Sequence, residues 1–259
     1  MMNALVTGAS SGIGRQYATI LARDYGCALI LVSNQESALK ETAEEIEGQY
    51  NVPVKWLCVD LAQQNAAEEV YEFAKGMQVD ILVNDAGMFF FSELNETPLG
   101  KIESMVMLHV LTLTKLCRLF AADMCERGTG YILNMSSLCA WMKFPYIQTY
   151  CATKDYVLNF SLSLRYELRR KGVNLTVVTP GAVDTPLYNL SDRTRRLLLE
   201  SGISIAPEKL ARKALKAMFA GKKRCMPGFI NYIARPLCKH LPDWAINAIL
   251  RIRARKLSR

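Results

Sequence analysis

The sequence predicts an α/β fold: a doubly wound parallel sheet with helices on both faces, three layers deep. Three observations carry the prediction. Short apolar runs alternate with longer amphipathic stretches along most of the chain, the order that a parallel sheet with crossover helices requires. The apolar runs lack the in–out alternation of half-exposed strands, so both of their faces are expected to be covered. Loops bearing glycine, asparagine or proline follow the C-terminal ends of these runs, at the edge where open parallel sheets bind ligands.

Taken in order, residues 3–7 form the first strand, and Gly8-Ala9-Ser10-Ser11-Gly12-Ile13-Gly14 leads into a helix that reaches about Tyr25. Glycines at that turn let the backbone bend sharply and approach a diphosphate seated on the helix N-terminal amides. Residues 27–33 are the second strand and 36–50 a helix; 54–59 is a third strand ending at Asp60-Leu61, with a helix at 64–76. Residues 80–83 make a fourth strand before Asn84-Asp85-Ala86-Gly87, followed by a long helix at 101–126. Residues 130–135 and 173–179 are the fifth and sixth strands, the latter closing on Pro180-Gly181, and the helix 149–171 lies between them. No internal repeat or low-complexity linker interrupts the alternation. Residues 1–228 are therefore assigned to one domain, and 229–259 to a basic helical extension of it.

The 259 residues suffice for a sizeable core, and a composition of 51% hydrophobic and 22% charged residues leaves no case for disorder. The first strand starts at once, so no signal or transit peptide is expected, and no uninterrupted apolar run approaches the roughly 20 residues of a membrane span. Eight cysteines without a Cys-x-x-Cys, and only two histidines, argue against a metal site or disulfide framework and for a cytoplasmic setting. The net charge of +8 is local: residues 222–259 hold ten Lys/Arg against one acid, Asp243, and the preceding chain is about neutral.

Chemistry concentrates between Ser137 and Lys154. Tyr150 and Lys154 stand four apart, one above the other on a helix face. A phenol of ordinary pKa near ~10 is a poor proton carrier at neutral pH; a cation one turn away favours the phenolate and makes it a usable acid or base. Ser137 ends the fifth strand and can hydrogen-bond the oxygen that Tyr150 protonates. Such a set suits reduction of a carbonyl or oxidation of an alcohol. The spacing alone is weak, since Tyr71 and Lys75 repeat it without an upstream serine; that second pair reads as a solvated helix face.

These motifs, in this order and over residues 3–230, resemble the short-chain dehydrogenase/reductase family: Thr7-Gly8-x3-Gly12-x-Gly14, Asp60, Asn84-x-Ala86-Gly87, Ser137, Tyr150-x3-Lys154 and Pro180-Gly181. The resemblance implies a Rossmann-like sheet of seven strands, NAD(P) as cofactor and hydride transfer at the nicotinamide. It implies that Tyr150 is the acid/base, that Ser137 orients the substrate oxygen, and that Lys154 lowers the tyrosine pKa and holds the nicotinamide ribose. Asp60 and Leu61 would meet the adenine, Asn84 would support the central strand, and Ala86 and Gly87 would flank the cofactor. Val183 and Thr185 would contact its carboxamide end. One departure stands out: where the family carries an asparagine that feeds a water-linked proton path, this chain has His109. A histidine there is either a relay or a packing residue.

Cofactor choice is read after the second strand. Ser33-Asn34-Gln35 offers no acid to repel a 2′-phosphate, which favours NADP over NAD. Met88 to Phe91 and Trp141 to Tyr146 are rich in aromatics and methionine, which points to a hydrophobic ketone or secondary alcohol such as a steroid, fatty or sphingoid chain. Residues 187–199 are expected to form a flap. In the tail, Leu241, Trp244, Ala245, Ala248, Ile249 and Ile252 share one helical face, which suits either peripheral contact with a membrane surface or a cap on the substrate pocket. No nucleic-acid motif accompanies the basic charge. The family's habit implies a homodimer or homotetramer. A rival reading keeps the fold as a non-catalytic nucleotide sensor or scaffold.

Overall fold

The computed structural model describes residues 1–185 and 204–239, together with positions 242, 244, 246 and 247. The elements run β1 (Asn3–Thr7), α1 (Gly12–Tyr25), β2 (Ala28–Ser33), α2 (Glu36–Tyr50), β3 (Val54–Cys58), α3 (Ala66–Phe73), β4 (Ile81–Asn84) and α4 (Leu99–Val106). A π-helical turn over Met107–Thr112 joins α4 to α5 (Leu113–Arg127). Then follow β5 (Gly130–Met135), α6 (Gln148–Arg169), β6 (Val173–Val178), β7 (Ala182–Val183), β8 (Ser204–Ile205), α7 (Pro207–Phe219), β9 (Arg224–Cys225) and α8 (Phe229–Lys239).

Seven strands form one sheet in the order β3-β2-β1-β4-β5-β6-β9, and every pairing is parallel. The strands alternate their burial between two cores. Ala4 and Val6 of β1 face a cluster closed by Tyr17 and Leu21 of α1, Leu39 and Ile46 of α2, and Leu210 and Leu215 of α7. Leu5 faces the opposite cluster, built on Val70 of α3, Leu116 and Phe120 of α5, and Val157 and Leu168 of α6. Each fully buried leucine or isoleucine side chain contributes about 1.5–3 kcal/mol, so both faces must be covered. The three-layer reading holds for this reason.

The differences from the sequence reading are local. The edge strand β9 has two residues, too short to carry periodicity. The pair β7–β8 forms a separate two-stranded ribbon. Leu99–Arg127 is one continuous helical run of 29 residues, long and apolar enough by length and composition to cross a membrane. Its charged residues had broken the apolar run in the sequence. In the fold it is the crossover between β4 and β5, and its buried side chains Leu116, Cys117, Phe120 and Met124 belong to the sheet's core.

Strand order turns back between β1 and β4: β2 and β3 extend to one side of this pair, β5 and β6 to the other. Loops leaving the C-terminal ends of β1 and β4 diverge there and open a crevice. Of the tail, α8 is described, and Trp244 is exposed. The flap at 187–199 lies outside the described residues, as do Leu241, Ala248, Ile249, Ile252 and the side chain of Ala245.

Candidate active site

A cleft of about 560 Å³ opens over this switch point. Its floor is the glycine turn. Gly8 adopts φ +70, a left-handed backbone that favours glycine, and a Cβ there would stand 3.0 Å from the backbone of Ala86. A Cβ on Gly14 would collide with the carbonyl oxygen of Gly8. The two glycines therefore let the turn fold flat against the β4 loop. Ser11 caps α1 in extended conformation, and the helix opens at the cleft with Gly12 and Ile13. Gly8, Ser10, Ser11, Gly12 and Ile13 line the cleft, and Gly14 lies beneath it.

The same cleft gathers the other sequence-selected positions. Ser33, Asn34, Asp60 and Leu61 line one end; Ala86, Gly87, Pro180, Gly181, Val183 and Thr185 line the rest. Ser10 and Ser33 share a buried hydroxyl contact of 2.9 Å, which ties the glycine turn to the end of β2. Asp60 accepts the amide N–H of Ala62 at 3.0 Å, so its carboxylate is held by its own turn. Asn84 does not line the cleft. It donates to Asn134 Oδ1 at 2.8 Å, and Asn134 donates to Ser161 Oγ at 2.9 Å. This buried chain pins β4 to β5 and β5 to α6.

Ser137, Tyr150 and Lys154 meet at the wall of the cleft, each buried in its main part. Ser137 follows β5, and its Oγ accepts the amide N–H of Cys139 at 3.1 Å. Tyr150 and Lys154 share the first turns of α6, with the Lys154 ammonium 5.6 Å from the phenol ring centre. Lys154 Nζ donates to Met135 O at 3.0 Å. Burial pushes this lysine down to about 8, against the opposing pull of the Asp85 and Cys139 charges. Asp85, pushed up to about 7 by burial, is drawn back by Lys154 and by the amide of Gly14. The decoy pair is not assembled in this way: Tyr71 donates to Asp123 at 3.0 Å, while Lys75 pairs with Glu72.

His109 is held between the β4 loop and α6. Its Nε2 accepts the amide N–H of Met88 at 3.0 Å, and its Nδ1 stands 3.0 Å from Thr153 Oγ1. Thr153 spends its own proton on Tyr150 O at 2.9 Å, so the partners assign a neutral Nδ1–H tautomer. Burial and the Lys154 charge hold the imidazole well below its ordinary pKa. Both ring nitrogens are engaged, and neither is left to hold a water. The ring occupies the π turn, a helical irregularity that often marks functional sites, and it ties the β4 loop to the tyrosine helix.

Four contributors were not selected from the sequence. Thr7 Oγ1 accepts the amides of Asp85 and Ala86 at 3.0 and 3.1 Å, locking the β1 and β4 loops together. Asp85 sets the local charge, Met135 anchors Lys154, and Thr153 anchors His109. Thr7, Asp85 and Thr153 lay inside recognised motifs, the last two at unspecified positions; Met135 acts through its backbone carbonyl, which no motif encodes. Beyond Tyr150 the surroundings are apolar. Met88, Phe89, Phe90, Met142 and Phe144 pack with Tyr150 and Cys151, and a second cavity of about 1090 Å³ lies against Trp141, Met142, Phe144 and Tyr146.

The family model for short chain dehydrogenase matches residues 2–196. Among curated relatives, 17-beta-hydroxysteroid dehydrogenase type 3 of Mus musculus is 31% identical over 225 residues, 86% of this chain and 70% of that protein. Very-long-chain 3-oxoacyl-CoA reductase of Homo sapiens is 30% identical over 247 residues, 93% of this chain and 76% of that protein. A solved structure from work on 7beta-hydroxysteroid dehydrogenase stereoselectivity superposes with TM-score 0.86 at 25% identity, covering 95% of this chain and 96% of the other. A short-chain dehydrogenase from Sphingobium yanoikuyae in complex with NADPH gives TM-score 0.80 at 26% identity, covering 100% and 96%.

Proposed function

The chain belongs to the short-chain dehydrogenase/reductase family and is an NAD(P)-dependent oxidoreductase of alcohol and carbonyl groups; from that premise we propose that it reduces the ketone of a lipophilic substrate with NADPH. The observation that carries this reading is the meeting of Ser137, Tyr150 and Lys154 in one cleft with the glycine turn.

The cradle fits a dinucleotide, because Gly8 and Gly14 leave no room for a Cβ and the start of α1, Gly12 and Ile13, lines the cleft. Gly8, Ser10, Ser11, Gly12, Ile13 and Gly14 would hold the diphosphate; Ser33, Asn34, Asp60 and Leu61 would hold the adenosine half. Ala86, Gly87, Tyr150, Lys154, Pro180, Gly181, Val183 and Thr185 would hold the nicotinamide half. When bound, the nicotinamide supplies the hydride. Tyr150 gives its phenolic proton to the substrate oxygen, and Ser137 hydrogen-bonds that oxygen and fixes its direction. The Lys154 cation favours the phenolate left behind, which is how a group of ordinary pKa near ~10 turns over at neutral pH. The neutral rim Ser33-Asn34-Gln35 tolerates a 2′-phosphate and supports NADPH over NADH. The aromatic surroundings of Tyr150 support a greasy substrate, in keeping with the steroid and acyl-CoA names of the relatives.

Residues 229–239 act as part of the same domain. Asn231 is buried against Gly181, where a Cβ would collide with its side chain, and Arg235 stands 5.0 Å from the Trp141 ring centre. The outward face of α8 exposes Ile230, Ile233 and Leu237 beside its basic residues, which supports contact with an anionic membrane surface. Leu111, Tyr156 and Tyr166 are exposed on α5's approach and on α6, which supports a homodimer or homotetramer through those long helices. A panel of steroid and long-chain 3-oxoacyl ketones, run with NADPH and NADH side by side, tests the main reading. Turnover confined to small hydrophilic ketones, or preference for NADH, would reject it.

A further inference from the structure

Two thiols outside the proposed chemistry meet beside it. Cys139 lies in the 3₁₀ turn Leu138–Trp141, two residues after Ser137, and Cys151 follows Tyr150 in the first turn of α6. Both side chains pack in the apolar cluster that holds Tyr150, and each thiol acts on the other's titration. Each sulfur is therefore anchored within two residues of a group that must reach the same substrate oxygen. The other described cysteines differ. Cys27 and Cys117 are buried, and burial pushes their thiols up to about 11 and about 12, which makes them poor nucleophiles. Cys58 is exposed.

The two thiols are not equivalent. Cys139 is drawn toward the thiolate by the neighbouring Cys151 thiol, with Ser137 and the Lys154 charge acting in the same direction against its burial. Cys151 keeps its proton while the Cys139 thiolate stands beside it, and the main pull that raises it is gone once the Cys139 sulfur is oxidised. Access is provided from the far side, since Cys151 lines the second cavity and Cys139 is half-buried. An electron-rich sulfur next to a second sulfur is the arrangement of a nucleophile with its resolving partner.

We propose that Cys139 and Cys151 form a redox modification site, at which a peroxide converts the dithiol to a disulfide that reversibly switches the enzyme off. The Cys139 thiolate attacks one oxygen of hydrogen peroxide, the O–O bond breaks, and the departing hydroxide takes a proton to become water. The Cys151 sulfur then attacks the Cys139 sulfenic acid; the S–O bond breaks, and the second hydroxide leaves as water with the Cys151 proton. Two thiols and one peroxide give one disulfide and two waters, with sulfur oxidised and peroxide reduced. A disulfide holds its sulfurs about 2.0 Å apart, well inside a thiol–thiol contact, so closure pulls the 3₁₀ turn toward the start of α6. Ser137 and Tyr150 ride on those two segments, and a misplacement of about 1 Å costs on the order of 10²-fold in rate. The loss of activity rests on the roles proposed for Ser137 and Tyr150; the cross-link itself does not.

The test uses the full chain treated with hydrogen peroxide, alkylated, and digested with trypsin without reductant. Arg127, Lys143 and Lys154 are cleavage points, so the two cysteines fall on separate peptides, 128–143 and 144–154. The expected result is that these peptides are found joined, that ketone reduction falls about 10²-fold, and that dithiothreitol reverses both. Cys151→Ala, lacking the resolving thiol, should keep its untreated rate, give no joined peptide and stay active at the same dose. Separate peptides in the treated protein would overturn the proposal, as would joined peptides with an unchanged rate or equal inactivation of Cys151→Ala. If no ketone is reduced even before treatment, the failure lies with the proposed reaction, and the joined peptides still report on the thiol pair.

Discussion

The ammonium of Lys154 is bonded to the carbonyl oxygen of Met135 at 3.0 Å. Met135 ends β5 and Ser137 lies two residues beyond it, so one strand end sets both the cation and the hydroxyl that flank Tyr150. Ser136 Oγ adds a second tie, donating to Lys154 O at 2.7 Å. Tyr150, Ser137 and Lys154 thus share one frame made of β5 and α6.

This frame predicts a pH profile. Burial holds Lys154 at about 8, so the cation is present below that pH and lost above it. The rate of ketone reduction should fall as pH rises through about 8. Lys154→Met should lower the rate on the order of 10²-fold and abolish that basic limb. A pH–rate series on the two proteins checks both effects.

Asp85 gives a linked prediction of opposite sign. Its folded pKa, about 7, lies above the ordinary 3.8, so the folded protein holds this proton more tightly than the unfolded chain. The stability it contributes is full at low pH and is lost as pH rises through about 7. Asp85→Asn should therefore gain thermal stability relative to the parent as pH is raised from acid to neutral. It should also move the basic limb of the rate profile to lower pH, because Lys154 loses a carboxylate that supports its charge. Melting curves across pH, together with the rate series, measure the two shifts.

His109 should behave as a clamp. His109→Ala leaves the half-buried amide of Met88 without its acceptor, a loss of about 0.5–1.5 kcal/mol in stability. The imidazole is neutral throughout the working range because its pKa lies well below 6.5, so the shape of the pH–rate profile should not move. Urea unfolding with the same rate series checks this; a profile displaced by the substitution would restore the relay role.

Asn84 should act through the frame. Asn84→Ala removes the donor to Asn134 Oδ1 in a fully buried chain, at a cost of about 1–3 kcal/mol. Cofactor affinity should change little, since Asn84 does not line the cleft. Urea unfolding and NADPH titration separate the two quantities.

Much of this architecture was legible in the sequence because it is written in local patterns. The buried strands β1, β2, β4 and β5 are apolar runs, and the glycine turn sits between a strand and a helix, so residues 8–14 could be placed before any contact was known. Ser137, Tyr150 and Lys154 were found by spacing, and the cleft that contains them was foreshadowed by loops at strand ends. What escaped notice depends on distance or on small irregularities. The π turn at Met107–Thr112 has no sequence period of its own, and it decides where His109 points. Strand β9 is two residues long and is recruited by pairing with β6. Asp85 is pushed up by burial and partly drawn back by Lys154, 69 positions away in sequence. Cys139 and Cys151 meet because α6 folds back over the end of β5, which no reading of neighbours along the chain reveals.

The central claim is that Tyr150 delivers the proton, and Tyr150→Phe tests it most directly. The ring, its contacts with Phe89 and His109 and the glycine cradle are retained, and only the hydroxyl is lost. NADPH affinity, followed by fluorescence titration, should stay within about threefold, while ketone turnover should fall by on the order of 10²–10⁴-fold. Turnover at the parent rate with the phenol removed would contradict the account.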